Sequence, residues 1–314
     1  MIVCLSANPS IDKLFEVDRL EVNRIHRPAG FVQTAGGKGL NVARAANALG
    51  GDVRVVTLLR GHAGKWIEEA LAAEGVKGSF VWTHGETRAS LSVADRRSGK
   101  LTEFYEHGSE IPSSAWPELE QAIAELLPEA DWLTISGSLP PGSPADGYAR
   151  IVAEARAAGV RVALDAAEQH LANALEAQPD IVKVNRIEAA ELVGRSTQTR
   201  GGSLAAAEEL RRRAGGEGHA GLVTRGAKGV VLVAPEGSAL EGTLYVRGRY
   251  PVGSGDSFLA GLVVGLADGA ELDDALRMAL GAASANAELP GAGRLDPSRA
   301  RALAVEADVT APTG

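Results

Sequence analysis

Short apolar runs alternate with longer amphipathic segments along most of the chain. The apolar runs are typical of buried strands, and they cover residues 2–5, 53–59, 132–135, 160–164, 181–184, 221–224 and 229–233. The amphipathic segments are predicted to be helices, and they cover residues 41–50, 64–74, 116–127, 145–158, 187–193, 203–214, 257–266 and 272–287. Because strand and helix alternate, the sequence predicts an α/β fold with a doubly wound, mostly parallel sheet flanked by helices.

Two polar stretches, residues 12–34 and 87–105, interrupt this alternation. They contain runs in which apolar and polar positions alternate, such as residues 90–94, and a period of two is typical of a strand with one exposed face. We expect the two stretches to form a small antiparallel β lid beside the main sheet. Residues 311–314 are expected to form a frayed tail.

Composition limits the classes of partner. Of the 314 residues, 45% are apolar, and a net charge of −8 argues against a general nucleic-acid surface. The apolar stretch 258–267 is shorter than the roughly 20 residues of a membrane span. Since no secretory signal is evident either, we expect a cytoplasmic protein without a membrane partner. The single cysteine, Cys4, is predicted to be buried and structural.

Polar or glycine-rich residues directly follow several predicted strands, at residues 8–12, 136–142, 185–188 and 224–229. In an open parallel sheet, ligands bind in the crevice beyond the carboxyl ends of the strands. We therefore expect these four segments to lie together at one ligand-binding edge.

The run Gly253-Ser254-Gly255-Asp256 precedes a predicted helix. Glycines permit a tight turn and the close approach of a ligand, and the backbone N–H groups at a helix start bind anions. A carboxylate at this place suits a general base that takes the proton of a hydroxyl attacking a phosphoryl group. The alternative is an ordinary glycine-rich turn in which Asp256 caps the helix.

A second glycine run, residues 36–43, also leads into a predicted helix. It lacks the spacing of a Walker P-loop, but Lys38 within it can meet an anion or a sugar hydroxyl, or be a plain surface lysine. Asn185 and Glu188 share a helix face, where they can hold Mg²⁺ through water or simply cap the helix.

Arginines and a lysine lie in or beside the two polar stretches: Arg24, Arg27, Lys38 and Arg88. The planar guanidinium group suits phosphate recognition, so an acidic chain can still bind an anionic small substrate at a local cluster. Taken singly, each arginine is equally consistent with an ordinary surface position.

The motifs occur together in the order of the ribokinase-like (PfkB) carbohydrate kinases, which the chain resembles over nearly its full length. Residues 36–43 are similar to the N-terminal motif of that family and residues 252–257 to its C-terminal motif. Asn185-x-x-Glu188 is similar to its magnesium-linked motif. The resemblance implies one ribokinase-like kinase domain over residues 1–310, with the lid segments inserted.

Within that family the chain is most similar to the phosphosugar branch, which contains 1-phosphofructokinase, tagatose-6-phosphate kinase and the minor 6-phosphofructokinase. The supporting runs are residues 8–12, 136–142, Thr87-Arg88 and Lys183-x-Asn185.

The resemblance also implies a role for each residue at a motif position. The residues expected to bind the sugar or its phosphate are Asp12, Arg27, Gly37, Lys38, Asn41, Arg88 and Ser138. Those expected at the nucleotide are Lys183, Asn185, Thr224, Gly226, Gly229 and Asn286. Those expected at the reacting phosphoryl group are the anion-binding residues Gly253, Ser254 and Gly255 and the base Asp256.

ATP is expected as co-substrate together with Mg²⁺, which Asn185 and Glu188 would hold through water. Relatives often also bind a monovalent cation such as K⁺, and the matching turn here is residues 291–293. Because family members often pair through their lids, the resemblance also implies a homodimer.

The predicted function is transfer of the ATP γ-phosphoryl group to a hydroxyl of a phosphorylated ketohexose, with fructose 1-phosphate converted to fructose 1,6-bisphosphate. Tagatose 6-phosphate and fructose 6-phosphate are alternative acceptors. A kinase of an unphosphorylated sugar or nucleoside is a second alternative. A non-catalytic sensor of nucleotide or sugar phosphate is a third, although a sensor has no need of a base.

The sequence departs from the family pattern at three places. Pro251 replaces a common threonine, and Arg225 stands where the branch often has leucine; both lie near expected nucleotide contacts. Ala166-Ala167 replaces small hydroxyl residues after a strand, which bears on the choice of substrate.

Overall fold

A computed structural model describes residues 1–166 and 168–312. The expectations for Ala167 and for the last two residues of the tail lie outside these residues. The strands are β1 (Ile2–Ser6), β2 (Ser10–Val17), β3 (Gly30–Gly36), β4 (Val53–Arg60), β5 (Lys77–Thr83), β6 (Ala89–Asp95), β7 (Leu101–Tyr105), β8 (Trp132–Ser136), β9 (Arg161–Asp165), β10 (Ile181–Asn185), β11 (Ala220–Thr224), β12 (Val230–Val233), β13 (Ala239–Thr243) and β14 (Asp308–Thr310). The α-helices are α1 (Lys38–Ala48), α2 (Gly61–Ala73), α3 (Ala115–Ala124), α4 (Gly147–Ala157), α5 (Glu168–Glu176), α6 (Arg186–Val193), α7 (Arg200–Arg213), α8 (Ser254–Ala267), α9 (Leu272–Glu288) and α10 (Pro297–Glu306).

The larger sheet has ten strands in the order β14-β13-β12-β11-β10-β9-β8-β1-β4-β5. The strands from β11 to β5 in that order run parallel to one another. The strands β12, β13 and β14 complete one edge as antiparallel strands. The predicted mostly parallel sheet is therefore confirmed, with an antiparallel extension at one edge.

Helices cover both faces of this sheet because its strands are apolar on both sides. Along β1, Ile2 and Cys4 face the core that contains α1, α2, α8, α9 and α10. Val3 and Leu5 face the opposite core, built with α3 to α7. Cys4 is buried and forms no disulfide, as expected.

Three strands and two helices were not predicted: β5, β13, β14, α5 and α10. The edge strand β5 is exposed at both Lys77 and Gly78, so it lacks an apolar signal at its start. The helix α5 is short and its segment carries Glu, Gln, His and Asn, which mask its buried leucines. These elements are stabilised by packing against neighbouring elements, and their own composition gives only a weak signal.

The lid is a four-stranded sheet with the order β3-β2-β6-β7. The predicted small β lid is therefore confirmed, and its two hairpin pairings are antiparallel. The central pairing, between β2 and β6, is parallel, because each strand enters the lid from the same edge of the main sheet.

The carboxyl ends of β1, β8, β10 and β11 lie at one edge of the sheet, since these strands are parallel. The four polar segments that follow them are therefore brought to the same edge, as predicted. Among the described residues, no helix is both long and apolar enough to cross a membrane.

Candidate active site

A cleft of about 570 Å³ lies between the lid and the carboxyl edge of the main sheet. This volume is in the range of small-molecule sites. The predicted site residues that line the cleft are Asp12, Gly37, Lys38, Asn41, Arg88, Lys183, Asn185, Glu188, Thr224, Gly226, Gly229, Gly253, Ser254, Gly255 and Asp256. The fold thus unites motifs that are far apart in the sequence.

The N-terminus of α8 points into the cleft from the Gly253 turn. Gly253 is the N-cap, with a φ of 80°, and a Cβ there would lie 2.5 Å from the backbone nitrogen of Gly293. Only glycine fits this conformation and this contact. Asp256 lies in the first turn of the helix, so the alternative in which it is the N-cap is wrong.

The first-turn amides of α8 have no acceptor within the helix and can bind an anion. One of the three predicted donors is already used, because the Ser254 amide donates to the Pro251 carbonyl at 3.1 Å. In this conformation Gly253 and Gly255 are the remaining predicted donors. Although Pro251 has no N–H group, its backbone carbonyl accepts this hydrogen bond and stabilises the turn.

The carboxylate of Asp256 is buried and accepts a hydrogen bond of 2.8 Å from the side-chain amide of Asn41. Burial raises the pKa of Asp256 to about 6, and the negative charge of Asp165 adds to this rise. Lys183, Lys38 and the Asn41 hydrogen bond limit it. A carboxylate with this pKa is ionised at neutral pH yet remains basic enough to accept a proton.

A buried ion network lies close to Asp256. The Nζ atom of Lys38 is 3.1 Å from Asp165 Oδ1 and 3.2 Å from Glu188 Oε1. Lys183 binds the other oxygen of Asp165. Burial alone would raise the pKa of Asp165, but the two lysines outweigh burial and hold it below its usual value. Burial alone would lower the pKa of Lys38, but the carboxylates around it raise that pKa above the usual value.

Sequence reasoning did not identify Asp165 as a site residue. The position of Asp165 could have identified it, because it is the last residue of β9 and lies at the same sheet edge as the predicted motifs. A charged residue at the carboxyl end of a parallel strand is a candidate for the site even without a motif around it.

Asn185 and Glu188 form a capping box at the start of α6. The Asn185 side-chain oxygen accepts from the amides of Ile187 and Glu188 at 2.8 and 3.1 Å, and Glu188 Oε2 accepts from the Asn185 amide at 2.8 Å. The capping interpretation is therefore correct. The second carboxylate oxygen of Glu188 still contacts Lys38 at the cleft.

The lid contributes Asp12 to the cleft. Ser10 donates to Asp12 at 2.5 Å, and a Cβ at Gly36 would lie 2.0 Å from the Asp12 carboxyl carbon. Gly36 is thus required for the carboxylate to lie across β3. Burial raises the pKa of Asp12, although Ser10 and Arg88 oppose the rise.

Arg88 lies beside Asp12, and its guanidinium group donates to the backbone carbonyl of Asn8 at 3.1 Å and to that of Glu106 at 3.1 Å. Ser138 is exposed and accepts a hydrogen bond of 3.2 Å from the Asn8 side chain. It is therefore linked to Arg88 through Asn8 and is not itself on the cleft wall.

Arg27, which was expected near the sugar phosphate, is not among the residues that line the cleft of this chain. The pairing of β2 with β3 ends at Glu16 and Gly30, and Arg27 is exposed in the loop beyond that end. At about 3.4 Å per residue, this end of the hairpin is on the order of 15 Å from Asp12. Arg27 is therefore outside the cleft of this chain.

Asn286 also differs from its expected position at the nucleotide. It is fully buried, and its side-chain nitrogen donates to the Val252 carbonyl at 2.9 Å. Its oxygen accepts from the Ser257 hydroxyl at 3.2 Å. Asn286 therefore holds the Gly253 turn from behind and does not reach the cleft, because α9 directs it into the core.

Thr224, Gly226 and Gly229, which were expected at the nucleotide, line the part of the cleft at the end of β11. The side chain of Arg225 binds Glu241 at 3.3 Å, away from this wall. The charge of Arg225 is therefore paired, and Arg225 is not among the residues that line the cleft. Ala166 is fully buried beside the ion network.

Comparison with known proteins agrees with this geometry. A model of the pfkB family carbohydrate kinases matches residues 5–299. The chain is 36% identical to a 1-phosphofructokinase of Haloferax volcanii over 90% of each chain. It is 31% identical to a tagatose-6-phosphate kinase of Staphylococcus epidermidis over 85% of each chain. A crystal structure of phosphofructokinase-2 from Escherichia coli in complex with potassium superposes with a TM-score of 0.88, at 26% identity over 98% of each chain.

Replacement of Asp165 by asparagine should lower the free energy of unfolding by about 3–5 kcal/mol, because a buried pair loses one partner. Lys183 would keep its burial and lose its counter-charge. Urea denaturation monitored by circular dichroism measures the change.

Glu209→Gln is the matched control, since Glu209 pairs with Arg212 and Arg213 on the solvent side of α7. A change within about 1 kcal/mol is expected there. Equal losses in the two variants would contradict a stabilising role for the buried network.

Proposed function

We propose that this chain, which belongs to the pfkB family of carbohydrate kinases, transfers the γ-phosphoryl group of ATP to a hydroxyl of fructose 1-phosphate and forms fructose 1,6-bisphosphate. The observation that carries the proposal is the joint presence of the buried base Asp256 and the guanidinium group of Arg88 in one cleft. A base serves the attacking hydroxyl, and a guanidinium group serves a phosphate that the acceptor already carries. The 36% identity to a 1-phosphofructokinase favours fructose 1-phosphate over tagatose 6-phosphate.

In the proposed reaction the acceptor sugar lies against Asp12, Gly37 and Asn41, with its phosphate towards Arg88. Ser138 supports that end of the site through Asn8. The carboxylate of Asp256 takes the proton from the acceptor hydroxyl as that oxygen attacks the γ-phosphorus.

Charge on the transferred phosphoryl group is stabilised by donors that the fold has already placed. The amides of Gly253 and Gly255 lie at the positive end of α8, and Lys38 lines the same cleft. Preorganised donors of this kind need no rearrangement during the reaction. Closure of the lid would exclude water and so limit hydrolysis of ATP.

ATP is proposed to bind along Thr224, Gly226 and Gly229, with its phosphates towards Lys183 and the Gly253 turn. Asn185 and Glu188 supply side-chain oxygen atoms at the cleft wall, which suits Mg²⁺ that is bound mainly by the ATP phosphates and meets the protein through water. Asn185 and Glu188 would hold this Mg²⁺ through water, where it would neutralise phosphate charge. Asn286 supports the same region from inside the protein.

We also propose a site for a monovalent cation such as K⁺ at residues 291–293. Backbone carbonyl groups are ligands of K⁺, and this turn packs directly against Gly253. The Ala292 carbonyl accepts from Arg44 at 3.1 Å, so the flanking glycine carbonyls are the ligands that fit. Turnover in potassium chloride should exceed turnover in choline chloride, and equal rates would exclude the site.

A homodimer is proposed to form through the lids. Several large apolar side chains of the lid are exposed: Val22, Ile25, Phe31 and Phe104. Large apolar side chains that stay exposed on one part of a protein are typical of an interface. Sedimentation velocity should give a dimer, and Phe31→Glu should shift the sample towards monomer.

The substrate assignment is tested by a coupled assay of ADP release with fructose 1-phosphate, fructose 6-phosphate, tagatose 6-phosphate, fructose and ribose. The highest kcat/KM is expected for fructose 1-phosphate. A preference for fructose or ribose would favour a kinase of unphosphorylated sugars. Binding of ATP and sugar phosphates without any turnover would favour a sensor.

Asp256→Asn should lower kcat by about 10²–10⁴, the usual contribution of a general base. ATP affinity, measured by isothermal titration calorimetry, should persist because the Gly253 turn is retained. Near-normal turnover in this variant would rule out Asp256 as the base.

Arg88→Ala should raise KM for fructose 1-phosphate about tenfold to a hundredfold, since a charge-assisted hydrogen bond contributes about 1.5–3 kcal/mol. The kcat/KM for unphosphorylated fructose should change much less. Arg212→Ala is the control and should leave KM within about twofold, because Arg212 is exposed on α7, lies outside the cleft lining, and a screened exposed charge contributes little.

If Arg88→Ala lowers kcat/KM for fructose and for fructose 1-phosphate by the same factor, Arg88 acts on the fold of the lid and does not bind the phosphate. Thermal unfolding of both arginine variants separates these outcomes.

A further inference from the structure

Arg44 on α1 is a buried cation that neither the sequence motifs nor the proposed reaction uses. Its side chain is 6% exposed. The guanidinium group donates in four directions, to Glu74 Oε2 at 2.7 Å, Asn41 Oδ1 at 3.2 Å, the Ala292 carbonyl at 3.1 Å and the Ala35 carbonyl. Its partners thus come from the Asn41 side chain, the end of α2, the lid and the turn beside Gly253.

The contact with Asn41 decides which way that amide points. A guanidinium group can only donate, and an ionised carboxylate can only accept. With Asn41 Oδ1 facing Arg44, the amide nitrogen must face Asp256, where it donates at 2.8 Å. The reversed amide would place donor against donor at Arg44 and acceptor against acceptor at Asp256.

This orientation favours the ionised form of Asp256. A protonated Asp256 could donate to an amide oxygen, but Arg44 holds that oxygen on the other side of Asn41. The hydrogen bond from Asn41 opposes the rise in the pKa of Asp256 that burial and Asp165 cause, alongside the charges of Lys183 and Lys38.

Arg44 also braces the backbone around the base. A Cβ at Gly253 would lie 2.7 Å from the Ala292 Cα, and a Cβ at Gly293 would lie 2.6 Å from the Asn41 carbonyl oxygen. The turn at residues 291–293 is therefore wedged between α1 and the start of α8. By binding the Ala292 carbonyl, Arg44 fixes this turn relative to Asn41.

We propose that Arg44 is a positioning residue that orients the side-chain amide of Asn41 towards Asp256 and thereby keeps the base ionised and correctly placed. The role rests on the proposed function of Asp256 as the base. Burying an arginine costs desolvation free energy, and its charge must be compensated by nearby groups. Packing alone therefore does not account for Arg44. The partly exposed carboxylate of Glu74 compensates the charge of Arg44 by accepting from its Nε atom.

The first test is Arg44→Lys, which keeps the charge but cannot reach all four acceptors at once. The pKa of Asp256 is measured by carbon-13 carboxyl NMR titration, with its signal assigned by its absence in Asp256→Asn. Loss of the Asn41 hydrogen bond should raise this pKa by up to about one pH unit. The acid limb of the kcat profile should move to higher pH by the same amount, and kcat at its plateau should fall about tenfold.

Glu74→Asp keeps the test decisive if Arg44→Lys folds poorly. The Glu74 side chain is 31% exposed, and the replacement keeps the charge but is too short to hold Arg44 Nε in the same place, so the variant should fold with Arg44 less firmly fixed. The pKa of Asp256 should rise in the same direction by a smaller amount. Arg301→Lys is the matched control, because Arg301 binds the Leu49 carbonyl at the other end of α1 and should leave the pKa of Asp256 unchanged.

An unchanged pKa of Asp256 in both Arg44→Lys and Glu74→Asp would overturn the proposal, even if thermal stability falls. The NMR titration does not depend on turnover. A failure of the proposed function, seen as normal turnover in Asp256→Asn, is therefore distinguishable from a failure of the role of Arg44.

Discussion

Asp165 is a fully buried carboxylate that binds Lys183 with one oxygen and Lys38 with the other. An isolated charge at this depth would lose most of its hydration, so the three groups are stable only as a set. The lysines in turn lie where the phosphates of ATP and the moving phosphoryl group are proposed to bind. Folding therefore arranges the cations before an anionic ligand arrives.

The same network acts on the charge of Asp256, the proposed base. Asp165 repels the charge on Asp256, while Lys38, Lys183 and the Asn41 amide stabilise that charge. These opposing effects leave the pKa of Asp256 at about 6, which suits proton abstraction near neutral pH. A base that stood alone among phosphates would be protonated too readily, and one held only by lysines would be too weak.

Close backbone approach is the second requirement of the site. Gly36 allows Asp12 to lie across the root of the lid, and Gly253 allows the start of α8 to pack on the turn at residues 291–293. Asn286 and Arg44 then hold these segments from the buried side. The residues that line the cleft are thus supported by buried polar groups behind the cleft wall.

The alternation of apolar runs and amphipathic segments by itself determined the doubly wound sheet, the polar lid segments and the edge at which the site lies. Strands that alternate with helices are expected to run parallel, so the motifs after β1, β8, β10 and β11 could be assigned to one edge of the sheet. The glycine runs and the Asn185/Glu188 pair could be found in the same way, because each is a local motif. Their resemblance to the family motifs then predicted most of the residues that line the cleft.

Only the tertiary structure decided which charges meet. Lys38 and Asp165 are 127 positions apart, and Asn41 and Asp256 are 215 positions apart. It also moved Arg27 to the far end of the lid and Asn286 into the core, and it revealed Arg44 as the partner of Asn41. Local pattern specifies the element on which a residue lies and the face it occupies, but contacts between distant elements depend on the spatial order of the strands and on how the helices pack across them.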